Sequence, residues 1–178
     1  MNLFVTDPDP FICATHHCQV HLRKMPTETA QMLSTAHVVL SGKQVGYKSI
    51  SNPNHRCAVW VRETSANYSW TFNLFVGLLH EYWFRTGRTH KTQNFRHLLC
   101  RNPAPAGPLT PFVLAMPEEF KQADPFLAYQ EYLNVKFLEW CNRKPTKEKP
   151  KDRPIPCEFL NRSAPHWLDR RLQNAHFH

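Results

Sequence analysis

The stretch from Ser65 to Thr86 carries no proline, and through it runs the series Tyr68, Phe72, Phe75, Leu79, Tyr82. Steps of three and four residues put these side chains on one face of an α-helix. Ser65 is a fitting N-cap and Gly87 a fitting stop. A helix with so much apolar and aromatic volume on one face has to be the centre of a core. The rest of the chain therefore has to supply elements that bury it.

Those elements are legible as further helices. Residues 2–5 read as a short strand, followed by the turn-rich Asp7-Pro8-Asp9-Pro10. A helix is expected from about Phe11 to Arg23, and Pro26 is placed as the first residue of a second helix running to Leu40, ended by Gly42. In that second helix Ala30, Leu33 and His37, flanked by Met32, Ala36 and Val39, form a buried face, while Glu28, Gln31 and Thr35 share another. Ser41 to Pro53 reads as a loop, Asn54 to Glu63 as a short helix, and His90 to Arg101 as another. Asn102 to Pro108 must be irregular because it holds three prolines and a glycine. Asp124-Pro125 is a cap followed by a first-turn proline, and the helix it opens extends to about Asn142, burying Phe126, Tyr129, Leu133, Phe137 and Trp140. The expected architecture is a mainly α protein: one helical domain over residues 1–142 with a short N-terminal strand, then a basic, Pro-rich C-terminal extension over 143–178.

The 178 residues suffice for one core without staples. No apolar run approaches the roughly 18 residues of a membrane span, and the first residues lack the pattern of a secretory signal, so a soluble, intracellular protein is expected. Six cysteines without a CxxC pair read as reduced thiols. The net charge of +8 calls for an acidic partner, DNA above all. Arg143 to His178 holds nine Lys or Arg against four acids, and so supplies five of the eight charges.

Several chemistries lack their motifs. His17 and His21 at i, i+4 have zinc-like spacing, yet no second ligand pair follows. His80-Glu81 opens like a zincin helix, but Phe84 stands where the second histidine belongs, and Glu81 with Arg85 is more simply an ion pair. There is no glycine-rich phosphate loop and no G-x-S-x-G. Any phosphate site must then use side chains, and three basic clusters offer them: His21 with Lys24, Asn54-His55-Arg56 with Arg62, and Arg85 to Lys91. No metal or tightly bound cofactor is expected.

Taken together, a set of short motifs resembles a phage-encoded family of DNA-hypermodifying proteins, the amino acid:DNA transferases, also called glutamyl/putrescinyl thymine pyrophosphorylases. The motifs are Asn2-Leu3-Phe4-Val5 with Asp7 and Asp9-Pro10; Cys18-x-x-His21-x-x-Lys24-Met25; Glu28 to His37; Asn54-His55-x-Cys57-Ala58-x-Trp60; Asn67-Tyr68-x-Trp70; His80-Glu81-Tyr82; Gly87-x-x-His90-Lys91; and Leu109 to Pro117. They span roughly residues 2 to 140. One departure is Gln19-Val20, where the family often has an Asp-Lys pair after the cysteine.

The resemblance implies transfer of an amino acid or polyamine nitrogen, glycine being the expected donor, onto a phosphorylated 5-hydroxymethyluracil in double-stranded DNA, with loss of phosphate or pyrophosphate. It also implies the cytoplasm of an infected bacterial host. On that basis Lys24, Arg62, His90 and Lys91 are expected at the leaving anion, and His21, Glu28 and Lys24 in catalysis. Gln31, Asn67 and Trp60 are expected at the base, and Asn54, His55, Arg56, Arg88 and Lys121 along the DNA. The target base should be extruded from the stack, with Trp60, Tyr47 or Trp70 as an aromatic platform, and Cys18 or Cys57 is a nucleophile to consider. Two other readings stand beside this one: a glycosylase or lyase using Lys24 as a Schiff-base amine, and a noncatalytic DNA-binding module.

Overall fold

The computed structural model describes residues 2–48, 52–149, 151–169 and 171. Its helices are α1 (Pro10–Thr15), α2 (Gln19–Ser41), α3 (Arg56–Glu63), α4 (Ser65–Thr86), α5 (Arg96–Leu99) and α6 (Pro125–Cys141), with single 3₁₀ turns at Lys91–Phe95 and Glu118–Phe120. The protein is mainly helical. α4 is the central element: α1, α2 and α3 all pack on it, and its Tyr68, Leu74, Phe75 and Leu78 are fully enclosed. Its cap lies one residue before the expected one, since Thr64 rather than Ser65 accepts the Asn67 N–H, and it is closed by Gly87, which takes the left-handed conformation (φ 66°) a glycine adopts without strain.

Among the described residues there is no strand, so the expected β-segment at 2–5 is corrected. Leu3, Phe4 and Val5 are buried and belong to no regular element; Phe4 lies against His21 of α2 and Tyr129 of α6, and no neighbouring strand offers a ladder among the described residues. Side chains meet their backbone instead: the Phe4 carbonyl accepts from the Cys13 thiol at 2.9 Å and the Thr6 carbonyl from Gln130 Nε2 at 3.0 Å.

The helix expected over Phe11–Arg23 is broken at His16-His17-Cys18, and Pro26 lies well inside α2 instead of opening it. The break has a distant cause. The Arg85 guanidinium, from the end of α4, donates to the carbonyls of Thr15 (2.8 Å) and His17 (2.9 Å), which satisfies acceptors that an uninterrupted helix would have used. Pro26 removes one helical hydrogen bond at a cost of about 3 kcal/mol. Leu22 and Met25 before it and Ala30, Met32 and Leu33 after it are all buried. At roughly 1.5–3 kcal/mol for each large apolar side chain, that burial outweighs the loss. The helix expected at His90–Arg101 is a 3₁₀ turn followed by the single turn of α5.

After α6 the chain turns back. Ile155 N–H bonds the Trp140 carbonyl, Gln19 N–H bonds the Glu158 carbonyl, and Cys157, Phe159 and Leu168 join the core. Arg162 then pairs with the buried carboxylate of Glu81 on α4. The described part of the basic extension is thus packed on the helical domain.

Candidate active site

α2 presents His21, Lys24 and Glu28 at steps of three and four, hence on one face. α6 presents Tyr132, Lys136 and Trp140 at steps of four. The N-terminal segment adds Phe4 and Asn2. The three elements enclose a cleft of about 270 Å³ lined by these eight residues.

Its charge is concentrated. Lys24 Nζ lies 3.0 Å from Glu28 Oε1, the lysine largely exposed and the carboxylate largely sheltered. Lys136 donates to Tyr132 Oη at 3.2 Å, and its ammonium sits over the Tyr132 and Trp140 rings at 5.3 and 5.4 Å, a cation–π arrangement that holds it at the rim. Two ammonium groups thus accompany one carboxylate. Beneath them His21 is 2 % exposed, stacked on Phe4 with centroids 4.7 Å apart and edged by Phe137 and Trp140. Burial, followed by the neighbouring His17, Lys136 and Lys24, holds the His21 imidazole well below its ordinary value, so the ring is neutral at pH 7.

Tyr132 is shared with a shallower depression of about 390 Å³ that includes His55, Arg56, Met116 and Lys121. His55 caps α3, accepting from Cys57 N–H, and burial holds its imidazole low, with a smaller opposing influence from Glu28. The cleft therefore opens beside a surface carrying two further cations, Arg56 and Lys121. Comparison with known proteins finds no matching family model, curated protein or solved structure.

Six of the residues named from sequence converge here: His21, Lys24 and Glu28 in the cleft, His55, Arg56 and Lys121 beside it. The others do not join them. Asn67 is fully buried, and its amide is spent on the Trp60 carbonyl and on Thr110 Oγ1 and N–H. Trp60 donates to the Pro111 carbonyl and packs against Trp70 and Phe112, so both tryptophans belong to the core. Tyr47 packs edge-on against Phe95. Arg62 donates to the Pro53 carbonyl. His90 is held by Thr92 and the Arg23 carbonyl and lines a separate groove with Trp83 and Arg96, while Lys91 and Arg88 are exposed at the turn between α4 and α5. Gln31 is half-buried and Asn54 exposed, and neither lines the cleft.

The two cysteines considered as nucleophiles are also elsewhere. Burial pushes the Cys57 thiol up. Cys18 caps α2; burial alone would raise its thiol, but hydrogen bonds from the Cys157 thiol and the His21 and Val20 backbone hold it below the ordinary value. Neither lines the cleft. Among the described residues no group of three His, Cys, Asp or Glu converges as a metal site, and no helix is long and apolar enough to cross a membrane. What sequence reading missed is the α6 wall. Tyr132, Lys136 and Trp140 follow a four-residue step beside the apolar stripe, a visible signal that nothing in the sequence aims at α2.

Proposed function

We propose that this cleft transfers an amino acid nitrogen, glycine for preference, onto a phosphorylated 5-hydroxymethyluracil in DNA, within the cytoplasm of an infected bacterial host. The observation that carries the reading is the meeting of His21, Lys24 and Glu28 with Lys136 in one small cleft beside the basic depression of Arg56 and Lys121. The motif resemblance to amino acid:DNA transferases supplies the substrate, and the side chains match its demands.

The C–O bond to the phosphate or pyrophosphate breaks, and the leaving group departs with the electron pair; a C–N bond to the exocyclic methylene forms, and the amine gives up a proton. Ammonium groups near the departing oxygens stabilise the charge that collects there, and Lys24 and Lys136 are the cations of the cleft. The proton needs a neutral imidazole or a carboxylate, which His21 and Glu28 provide. Arg56 and Lys121 contact phosphates of the flanking strand, which positions DNA without reading sequence. A base extruded from the stack enters over Tyr132 and Trp140, which take the platform role expected of Trp60.

The test uses duplexes carrying monophosphorylated or pyrophosphorylated 5-hydroxymethyluracil, free glycine and the full chain, with digestion to nucleosides and mass spectrometry. A new nucleoside heavier than 5-hydroxymethyl-2′-deoxyuridine by the glycyl substitution is expected from one of the duplexes. DNA binding with no new nucleoside leaves a noncatalytic module, and a borohydride-trapped protein–DNA adduct leaves a lyase.

A further inference from the structure

A groove of about 620 Å³, more than twice the volume of the cleft, lies where α1, α4 and the turn before α5 meet. That size is within the roughly 300–1,000 Å³ of small-ligand sites. Two of its lining rings face water: Trp83 is 55 % exposed and Phe11 48 %, and of the five tryptophans Trp83 alone is exposed. The polar side of the groove is cationic. Arg96 lines it, and Arg88 and Lys91 are exposed next in the chain to the lining residues Thr89 and His90. Lys24, Lys121 and Arg162 are tied to carboxylates, whereas none of these three makes an ion pair among the described residues. No lining residue is acidic. Asp9, two residues from Phe11, spends its carboxylate on the Phe11 and Ile12 N–H groups, and Glu81, beside His80, is buried with Arg85 and Arg162. The groove therefore complements an anion that also brings a flat apolar face.

We propose that this groove holds a nucleotide of an unpaired DNA strand, with the base stacked on Trp83 and the phosphate against Arg96. Single strands are held in this way without sequence readout, rings taking the bases and cations tracking the phosphates. Gln93, which lines the groove and makes no side-chain hydrogen bond among the described residues, offers an amide to the edge of the base. An acidic peptide would satisfy the cations and leave the rings in water; a neutral aromatic ligand would do the reverse. The groove also adjoins the cleft. His90 Nε2 lies 3.3 Å from the carbonyl of Arg23, the residue before Lys24, so a strand with one base in the cleft has a second seat at the same turn of α2. Capture of an unpaired strand does not rest on the transfer chemistry, since a noncatalytic module would use the same groove.

The experiment measures fluorescence anisotropy of a labelled oligothymidylate of about eight nucleotides on the full chain, beside an abasic oligomer of the same length, with dTMP and polyglutamate as competitors. Oligothymidylate should bind roughly tenfold or more tighter than the abasic oligomer. Trp83→Leu should remove that preference with the melting temperature kept, because the residue is more than half exposed. Arg96→Gln should weaken both oligomers and lower the slope of log affinity against log salt by about 0.7. Equal binding of the two oligomers by the native protein, or a folded Trp83→Leu that keeps the preference, overturns the proposal. Displacement by polyglutamate as effective as by unlabelled oligothymidylate also overturns it, as the mark of a general anion surface. Displacement by dTMP at the same concentration as by the oligomer overturns the strand in favour of a free nucleotide. If Trp83→Leu does not fold, the native preference for thymidylate together with its salt slope in Arg96→Gln decides. Binding through Trp83 with no new nucleoside in the transfer assay counts against the proposed function only, and transfer with binding indifferent to Trp83 counts against the groove only.

Discussion

Lys136 stands between two aromatic rings and a tyrosine hydroxyl, a setting that fixes an ammonium in space without neutralising it. Lys24, by contrast, is tied to Glu28 and its side chain is 65 % exposed, so much of its charge is screened by solvent. The fixed cation should matter more to a leaving anion than the mobile one. Lys136→Met, which keeps the stem against Tyr132 and Trp140, is expected to lower nucleoside turnover by roughly 10²–10³ with DNA affinity changed by less than about tenfold. Lys24→Met should cost less. Equal effects of the two, measured by single-turnover kinetics on saturating DNA, would refute the ranking. At this scale three of the eight lining residues were legible in the sequence, His21, Lys24 and Glu28, through the motifs they stand in, although the expected helices broke between Arg23 and Pro26. Lys136 was not, because its partner face lies more than a hundred residues away and only packing brings them together.

At the scale of elements, α1 and α4 approach at Gly77, where an added Cβ would sit 2.9 Å from Ala14 Cβ and 3.3 Å from the Phe11 ring. Gly77→Ala would gain about 1 kcal/mol of helix propensity, but a methyl forced against a backbone-anchored methyl costs roughly 1–3 kcal/mol. The steric term should win, and Gly77→Ala is expected to melt several degrees lower; an unchanged or raised Tm would show that α1 yields freely. The second interlock is Glu81, whose carboxylate is buried and shared by Arg85 and Arg162. Glu81→Ala strands the Arg85 guanidinium, which has no exposed surface, and should cost about 3–5 kcal/mol in urea denaturation. Arg162 is about a third exposed, and Arg162→Ala, which leaves Glu81 paired with Arg85, should cost clearly less. The same arginine that pairs with Glu81 decides the break between α1 and α2, a boundary invisible in local sequence.

For the molecule as a whole, burial holds several imidazoles low, His16, His17 and His21 among them. A group depressed on folding contributes stability that is complete above its unfolded value and lost as pH falls toward its folded one. For His17 that window runs from 6.5 down to about 4. The loss across it is on the order of 3 kcal/mol for His17 alone. Unfolding free energy should therefore be flat between about pH 7 and 8 and decline steadily from pH 6.5 to 4.5, and a flat urea-denaturation profile over the lower range would refute the assignment. The segment after α6 also acts at this scale. Its composition reads as a basic appendage, yet Cys157, Phe159 and Leu168 are buried and Arg162 is anchored, so a charge count could not separate cations free for a partner from those used in the fold.

By itself the sequence determined that the protein is helical, that Ser65–Thr86 is its centre, and where α4 and α6 end. These follow from periodicity, capping and backbone stereochemistry, which act over a few residues. Only the tertiary structure decided that Pro26 is tolerated inside a helix, that residues 2–5 form no strand, that Asn67 and Trp60 are consumed by the core, and that Lys136 and Tyr132 complete the cleft. Each depends on groups far apart in the chain competing for the same hydrogen bonds and the same buried space, and that competition is settled only when the whole core closes.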